Sequence, residues 1–423
     1  MYSRVDLDPY EEILSVASIP LSNTSNFTEP SKHYVVIGTG YAYPDMDEPT
    51  QGRIIVYHVD LPRDSDMGTL DQNQSFISRT VKQVTEYVTR GGVYSLSSFG
   101  DGALISTMNS KTHLYKFQNV DGIADLKVEP GATHHGHILS LFVKSIPSNP
   151  NLAIVGDLMR SISVLEYVEY SPQQQVLEEV ARDFNMNWTT ALEMLTEDIY
   201  LGSENWNNLY VLKRNPQAPS DEERCRLDTK GEFGLGEMVN KFMRGSLIMP
   251  TDGSSGSNSS GNSNKSVSNR SNEMIRTGSQ TLYATVDGSI GSIIGLNASA
   301  HAFCYVLERM IAQEIPGVGN LSHEEYRQFE QEKRIHPHHG IIDGDLVESF
   351  LDLRKEDMEK VVNAMNADGG WESLAGLVKL EDSGMGSLSP GNGKQGWGNA
   401  GDEGKNITVE EVVTRVEEMS RLH

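Results

Sequence analysis

The sequence predicts an all-β propeller over residues 1–297, followed by a small α-helical C-terminal domain over residues 298–423. Three observations carry this reading. Residues 33–296 break into many short runs rich in β-branched and aromatic residues, each bounded by Gly, Asn, Asp or Ser. Similar turns, VGDLMRS, LGSENWN and TVDGSIG, recur between paired strands. From Ala298 the apolar period changes from strand-like to helical.

The strand-like runs come in order as HYVVIGTG, RIIVYHVD, GVYSLSSF, ALISTMNS, HILSLFVKSI, NLAIVGDL, SISVLEYV, NLYVLKRN, LYATVDG and SIGSIIGL. No long helical segment separates them, which excludes a βαβ arrangement. Quartets of strands at ~40–50 residues per unit fit propeller blades better than a two-sheet sandwich, and the β region then holds roughly five or six blades. Residues 249–279 form a Ser/Gly/Asn tract that cannot bury a core and reads as a flexible excursion between two strands of one blade. A second tract, 366–406, is rich in Gly, Asp and Glu and reads as mobile.

In the tail, HAFCYVLERMIAQEI places Phe303, Val306, Met310 and Ile311 on one helical face. Ser322 with Glu325, and Thr408 with Glu411, have the spacing of capping boxes. ESFLDLRKEDMEKVVNAM reads as one broken or two short helices, with Asp343 or Asp345 as a cap just before it. Val409, Val412, Val413, Val416 and Met419 form the apolar stripe of the last helix.

Composition narrows the function. The chain has 423 residues, 37% hydrophobic and 22% charged, in keeping with a globular protein. Its 59 acidic and 35 basic residues give a net charge of −24. That charge repels a phosphate backbone and disfavours direct nucleic-acid binding. Two distant cysteines, Cys225 and Cys304, make no disulfide framework and point to a reducing compartment. Sequons at Asn73 and Asn406 carry little meaning, because no secretory signal is visible at the N-terminus. No run approaches the ~20 apolar residues of a membrane span.

Motifs for chemistry are absent: there is no P-loop, no G-x-S-x-G elbow and no H-E-x-x-H. Gly38-Thr39-Gly40 ends a strand and lacks the third glycine of a dinucleotide fingerprint. Cys225 sits in the charged run DEERCRLD, a poor setting for a nucleophile. The clusters His134, His135, His137 and His336, His338, His339 have no nearby cysteine and read as solvated loop histidines. The chain is therefore expected to be no enzyme, with no cofactor and no metal. Arg160, Arg182 and Trp188 stand out instead. Arg and Trp are enriched at interface hot spots, while the alternative is internal ion pairing and packing between blades. The pattern leaves both open.

The blocks YVVIGTGYAYPDMDEPTQGRIIVYHV, IVGDLMRSISVLEY, ARDFNMNW, LGSENWNNLYV, LGEMVNKF, ATVDGSIG and GIIDGDLVESFLDL resemble the family of the large subunit of the damaged-DNA-binding protein. They are less similar to its cleavage-and-polyadenylation and splicing paralogues. The resemblance implies most of the third of three seven-bladed propellers plus the C-terminal helical domain, and hence a fragment or an incomplete gene model. It implies a nuclear, partly cytoplasmic adaptor of cullin-4 ubiquitin ligases acting in DNA repair. The partners implied are WD40-type substrate receptors, including the small damaged-DNA-binding subunit. Cullin is reached only through propellers absent here, DNA only through partners, and no membrane is involved. The alternative is an RNA-processing scaffold like the paralogues. The receptor pocket falls by motif match on Tyr94, Leu139, Leu141, Phe142, Leu158, Met159, Arg160, Arg182, Trp188, Asn240, Phe242 and Val286. Met238 joins them as a departure where the family has an aromatic; Gly40 and Gly92 depart where it has small alanines.

Overall fold

The computed structural model describes residues 4–24, 31–60, 80–120, 123–171, 174–247, 275–367 and 406–421. The chain divides into two compact units, Met1–Lys230 and Gly231–His423.

The first unit is built from antiparallel meanders in which each strand pairs with the next in sequence. The first sheet is β1 (Glu11–Leu21), β2 (Lys32–Tyr41), β3 (Gly52–Asp60) and β4 (Thr80–Thr89). The second is β5 (Val93–Phe99), β6 (Ala103–Met108), β7 (Lys111–Val120) and β8 (Ile123–His135). The third is β9 (Ser140–Ile146), β10 (Asn149–Asp157), β11 (Ile162–Ser171) and β12 (Gln174–Arg182). The fourth is β13 (Thr189–Met194), β14 (Ile199–Glu204), β15 (Asn208–Arg214) and β16 (Leu227–Gly234), the unit boundary falling inside β16.

The leading strands β1, β5, β9 and β13 lie beside one another in sequence order, which is the arrangement of propeller blades around an axis. Packing follows from it. One apolar cluster joins the first and second blades through Ile54, Val93, Leu104 and Tyr115. Another joins the second and third through Phe99, Ile105, Val143 and Val155. A third joins the third and fourth through Ile154, Val164, Leu192 and Tyr210. A blade buries both faces, so central strands are not alternating: Leu152 to Asp157 of β10 are all buried. Each fully buried aliphatic or aromatic side chain contributes roughly 1.5–3 kcal/mol, which makes these seams the main source of stability.

The second unit holds a three-stranded sheet of β17 (Val239–Arg244), β18 (Ile275–Thr285) and β19 (Ile290–Leu296). The excursion expected at 249–279 joins β17 to β18, neighbours in one sheet; most of it lies outside the described residues, as does most of the 366–406 tract. The expected boundary at 297/298 lies within this unit, at the passage from β19 to the helix Ala298–Glu314. Asn297 caps that helix, and Phe303, Val306, Met310 and Ile311 enter the core with Val361, Val362 and Met365 of the helix Lys355–Asn366. Val412, Val416 and Met419 of the helix Val409–Ser420 complete it, behind the capping box of Thr408 and Glu411. The break expected in ESFLDLRKEDM is a 3-10 turn, Ser349–Asp352, before the second helix, and Asp343 is the cap that precedes it. The capping box of Ser322 and Glu325 is present, but its helix ends after one turn, His323–Tyr326. Arg327 turns inward to Asp343, and a short hairpin of β20 (Phe329–Glu330) and β21 (Ile335–His336) follows, with Phe329 fully buried.

Candidate interaction surface

Strand register brings many of the singled-out residues to one edge of the first unit. Asp157 pairs with Ser140, Ser163 with Arg182, and Thr189 with Glu204. The segments 136–140, 157–162, 182–189 and 204–208 therefore emerge at the same end of the third and fourth blades. Backbone hydrogen bonds lace them together. The Leu158 N–H donates to the Leu139 carbonyl at 3.0 Å, Ser161 to Asn187 at 3.2 Å, and Asn205 to Trp188 at 3.2 Å.

Two buried aspartates hold this edge. Asp157 Oδ2 accepts the N–H groups of Ile138 and Leu139 at 2.8 and 3.0 Å. Its Oδ1 accepts those of Met159 and Arg160 at 2.9 and 2.8 Å. One carboxylate thus satisfies four donors that no strand could serve, and it clamps two turns to each other. Asp183 does the same for the next corner. Its Oδ1 accepts from the Asn185 backbone at 3.0 Å, and its Oδ2 accepts from Ser161 Oγ at 2.7 Å. Ser161 itself has φ +55°, a strained setting for a non-glycine residue, and that short hydrogen bond helps hold it there.

On this frame stand exposed apolar side chains. Trp188 is 49% exposed, so it is not packed between blades. Met159, Ile138, Phe184, Met186 and Trp206 are exposed with it. The arginines also pair within the chain. Arg160 Nη2 lies 3.6 Å and Arg182 Nε 4.0 Å from the same Glu179 Oε1. Arg182 also covers the Phe184 ring, 4.4 Å from its centroid. Leu139, Leu141, Phe142 and Leu158 are half-buried in the adjoining strand ends. Tyr94, at the start of β5, is half-buried, and burial together with the Glu48 charge raises its hydroxyl pKa. In the second unit Val286 is exposed and its N–H donates to the carbonyl of Met238, which is half-buried; Asn240 is exposed. Phe242 is only 1% exposed and offers no surface to a partner. Ile138, Phe184, Met186 and Trp206 are not among the residues that the sequence motifs single out. Their one signal was a large apolar residue inside a polar turn.

Of the two histidine clusters, His135 and His339 are exposed as expected, but His134, His137, His336 and His338 are buried or half-buried. His134 and His137 are drawn inward, because Gly136 lets the loop fold back; a Cβ there would sit 3.1 Å from His134 Nε2. Burial pushes the His137 imidazole down to about 4. In the second unit His338 Nε2 lies 3.5 Å from Glu308, while His336 Nε2 lies 3.0 Å from Glu232. Burial alone would raise Asp343, yet hydrogen bonds and charge from His323 and Arg327 hold it at about 2. Three groups bring metal-ligating atoms within 4.8 Å of one another among the described residues: His134–His137–Glu179, Glu232–His336–His339 and Glu308–His323–His338.

A propeller whose blade edge carries a braced apolar rim suits protein partners. The chain belongs to the CPSF A subunit region family, whose model matches residues 1–352. It is 35% identical over 422 residues to DNA damage-binding protein 1b of Arabidopsis thaliana. It is 34% identical to DNA damage-binding protein 1 of Oryza sativa subsp. japonica, over 422 residues, and to that of Solanum lycopersicum, over 423 residues. Each match covers 100% of this chain and 30% of the relative, so the chain spans under a third of those proteins' length. No described helix is long and apolar enough to cross a membrane, which says nothing of β-barrels.

Proposed function

We propose that this chain is a non-enzymatic adaptor module that binds substrate receptors of a cullin-4 ubiquitin ligase. Its setting is DNA damage recognition, nucleotide-excision repair and protein turnover, in the nucleus and also the cytoplasm. The observation that carries the reading is the exposed set around Trp188, braced from beneath by Asp157 and Asp183. A rigid, apolar, aromatic rim with nearby guanidinium groups suits an amphipathic helix laid in a groove. WD40-type receptors, including the small damaged-DNA-binding subunit, are the partners proposed. The proposal places cullin contact outside the part of the protein that this chain represents. The charge of −24 fits recruitment to DNA through a partner.

The test is co-precipitation of the receptor subunit with the Trp188→Ala and Arg182→Ala variants. Truncating a hot-spot anchor costs on the order of 2 kcal/mol or more, about 30-fold in affinity. Unchanged binding in both folded variants sinks the assignment. A second reading, an RNA-processing scaffold, is favoured by the family's description as a CPSF A subunit region. Affinity purification separates the two: cullin and repair receptors support the first, cleavage or splicing factors the second.

A further inference from the structure

We propose that His134, His137 and Glu179 form a binding site for a divalent transition metal, with Zn²⁺ the best fit. The inference goes beyond the adaptor reading and does not depend on it. The three side chains come from the end of β8, the loop after it and β12. Their ligating atoms lie within 4.8 Å of one another, and His134 Nε2 is 3.7 Å from Glu179 Oε2. The two rings stand nearly edge-on, with centroids 5.1 Å apart. His137 is only 7% exposed, yet neither of its ring nitrogens has a hydrogen-bond partner, and His134 Nε2 has none either.

Three imidazole nitrogens lack partners, two on His137 and one on His134, and one from each ring lies near a Glu179 oxygen. This is a costly arrangement for a purely structural corner, since a buried polar group without a partner is destabilising. A metal ion held by one nitrogen of each ring relieves that cost for two of the three. Two imidazoles and one carboxylate with a free fourth position for water is a common zinc donor set. With bonds of ~2.0–2.1 Å the donors would be drawn in to about 3.4 Å apart, a side-chain adjustment of roughly an ångström.

The surroundings orient the donors. Glu179 divides its oxygens: Oε2 faces His134, while Oε1 faces Arg160 and Arg182. Such outer contacts fix ligand geometry. The two guanidinium groups also repel a dication, so binding here is weaker than at a closed structural site. A metal on Oε2 leaves Oε1 to hold both arginines, which ties the site to the exposed rim.

The test is calorimetric titration of the chelator-treated full chain with Zn²⁺, in a Cys225→Ser background because Cys225 is exposed. Co²⁺ absorption provides a second readout. One saturable equivalent is expected to be lost, or weakened about 100-fold or more, in both His137→Gln and Glu179→Gln. A His336→Gln, His339→Gln variant, altered at a separate cluster, keeps that equivalent. If His137→Gln does not fold, Glu179→Gln decides alone. Zn²⁺ stoichiometry and affinity unchanged in Glu179→Gln, or no saturable binding by the parent chain, overturns the site.

Discussion

At Asp157 four backbone N–H groups from two turns converge on one carboxylate with no exposure to water. Asp157→Ala orphans all four donors. The expected loss is about 3 kcal/mol or more in urea unfolding, because each buried unsatisfied donor costs roughly 1–3 kcal/mol. Asp157→Asn keeps one acceptor oxygen and should lose about half as much. A loss under ~1 kcal/mol for the alanine variant would show that the turns hold without the clamp. The contrast with Trp188 is instructive. The sequence made Trp188 and the arginines conspicuous, yet it could not divide them by role. Exposure sends Trp188 outward, while Glu179 draws both arginines toward itself. Ile138, Phe184 and Met186 escaped notice because turn residues have no period to betray which way they point. The burial of the histidines at 134 and 137 has no signal in the sequence for the same reason: it depends on how the loop at Gly136 folds back.

Among the elements, the strands were legible because period and turn chemistry agreed. The recurring turns LGSENWN and TVDGSIG mark a shared device. Tyr210 lies across Gly202 from the neighbouring strand, and a Cβ on Gly202 would come within 2.3 Å of its ring. Tyr283 lies across Gly291 in the same way, also at 2.3 Å. Glycine lets an aromatic ring fold flat over its own sheet, and Tyr210 then reaches Thr189 Oγ1 at 3.2 Å. Gly202→Ala should therefore cost about 1–3 kcal/mol by overpacking, measured by chemical denaturation. The double variant with Tyr210→Phe tests where the cost arises. Removing the hydroxyl alone leaves the ring clash, so the alanine penalty should persist; its disappearance would place the strain elsewhere. The helical tail was read less well where one side chain redirects the chain. Ser322 and Glu325 announce a helix correctly, but it ends after one turn, where Arg327 pairs with Asp343, 16 residues further along the chain and outside any local pattern.

For the molecule as a whole, acid should act on the two units at separate pH values. In the first unit His113 is half-buried with its ring nitrogen 2.9 Å from Thr133 Oγ1, and desolvation pushes its pKa down to about 4 from 6.5. Between those values the unfolded chain takes up a proton that the folded chain refuses. Stability therefore falls as pH drops from about 6.5 toward 4, with a slope of at most about 1.4 kcal/mol per pH unit from this group. In the second unit Asp343 is depressed to about 2 from 3.8. Its contribution is complete above 3.8 and is lost only as pH falls from there toward 2. The net charge of −24 works in the opposite direction, since protonating surface carboxylates relieves self-repulsion. The comparison to make is His113→Asn against the parent chain, in urea titrations at pH 7 and pH 5. The parent should lose more stability between those values than the variant, while Asp343→Asn should leave the pH 7-to-5 difference unchanged. Equal losses in the parent and in His113→Asn would show that this histidine is not what couples the propeller blades to acid.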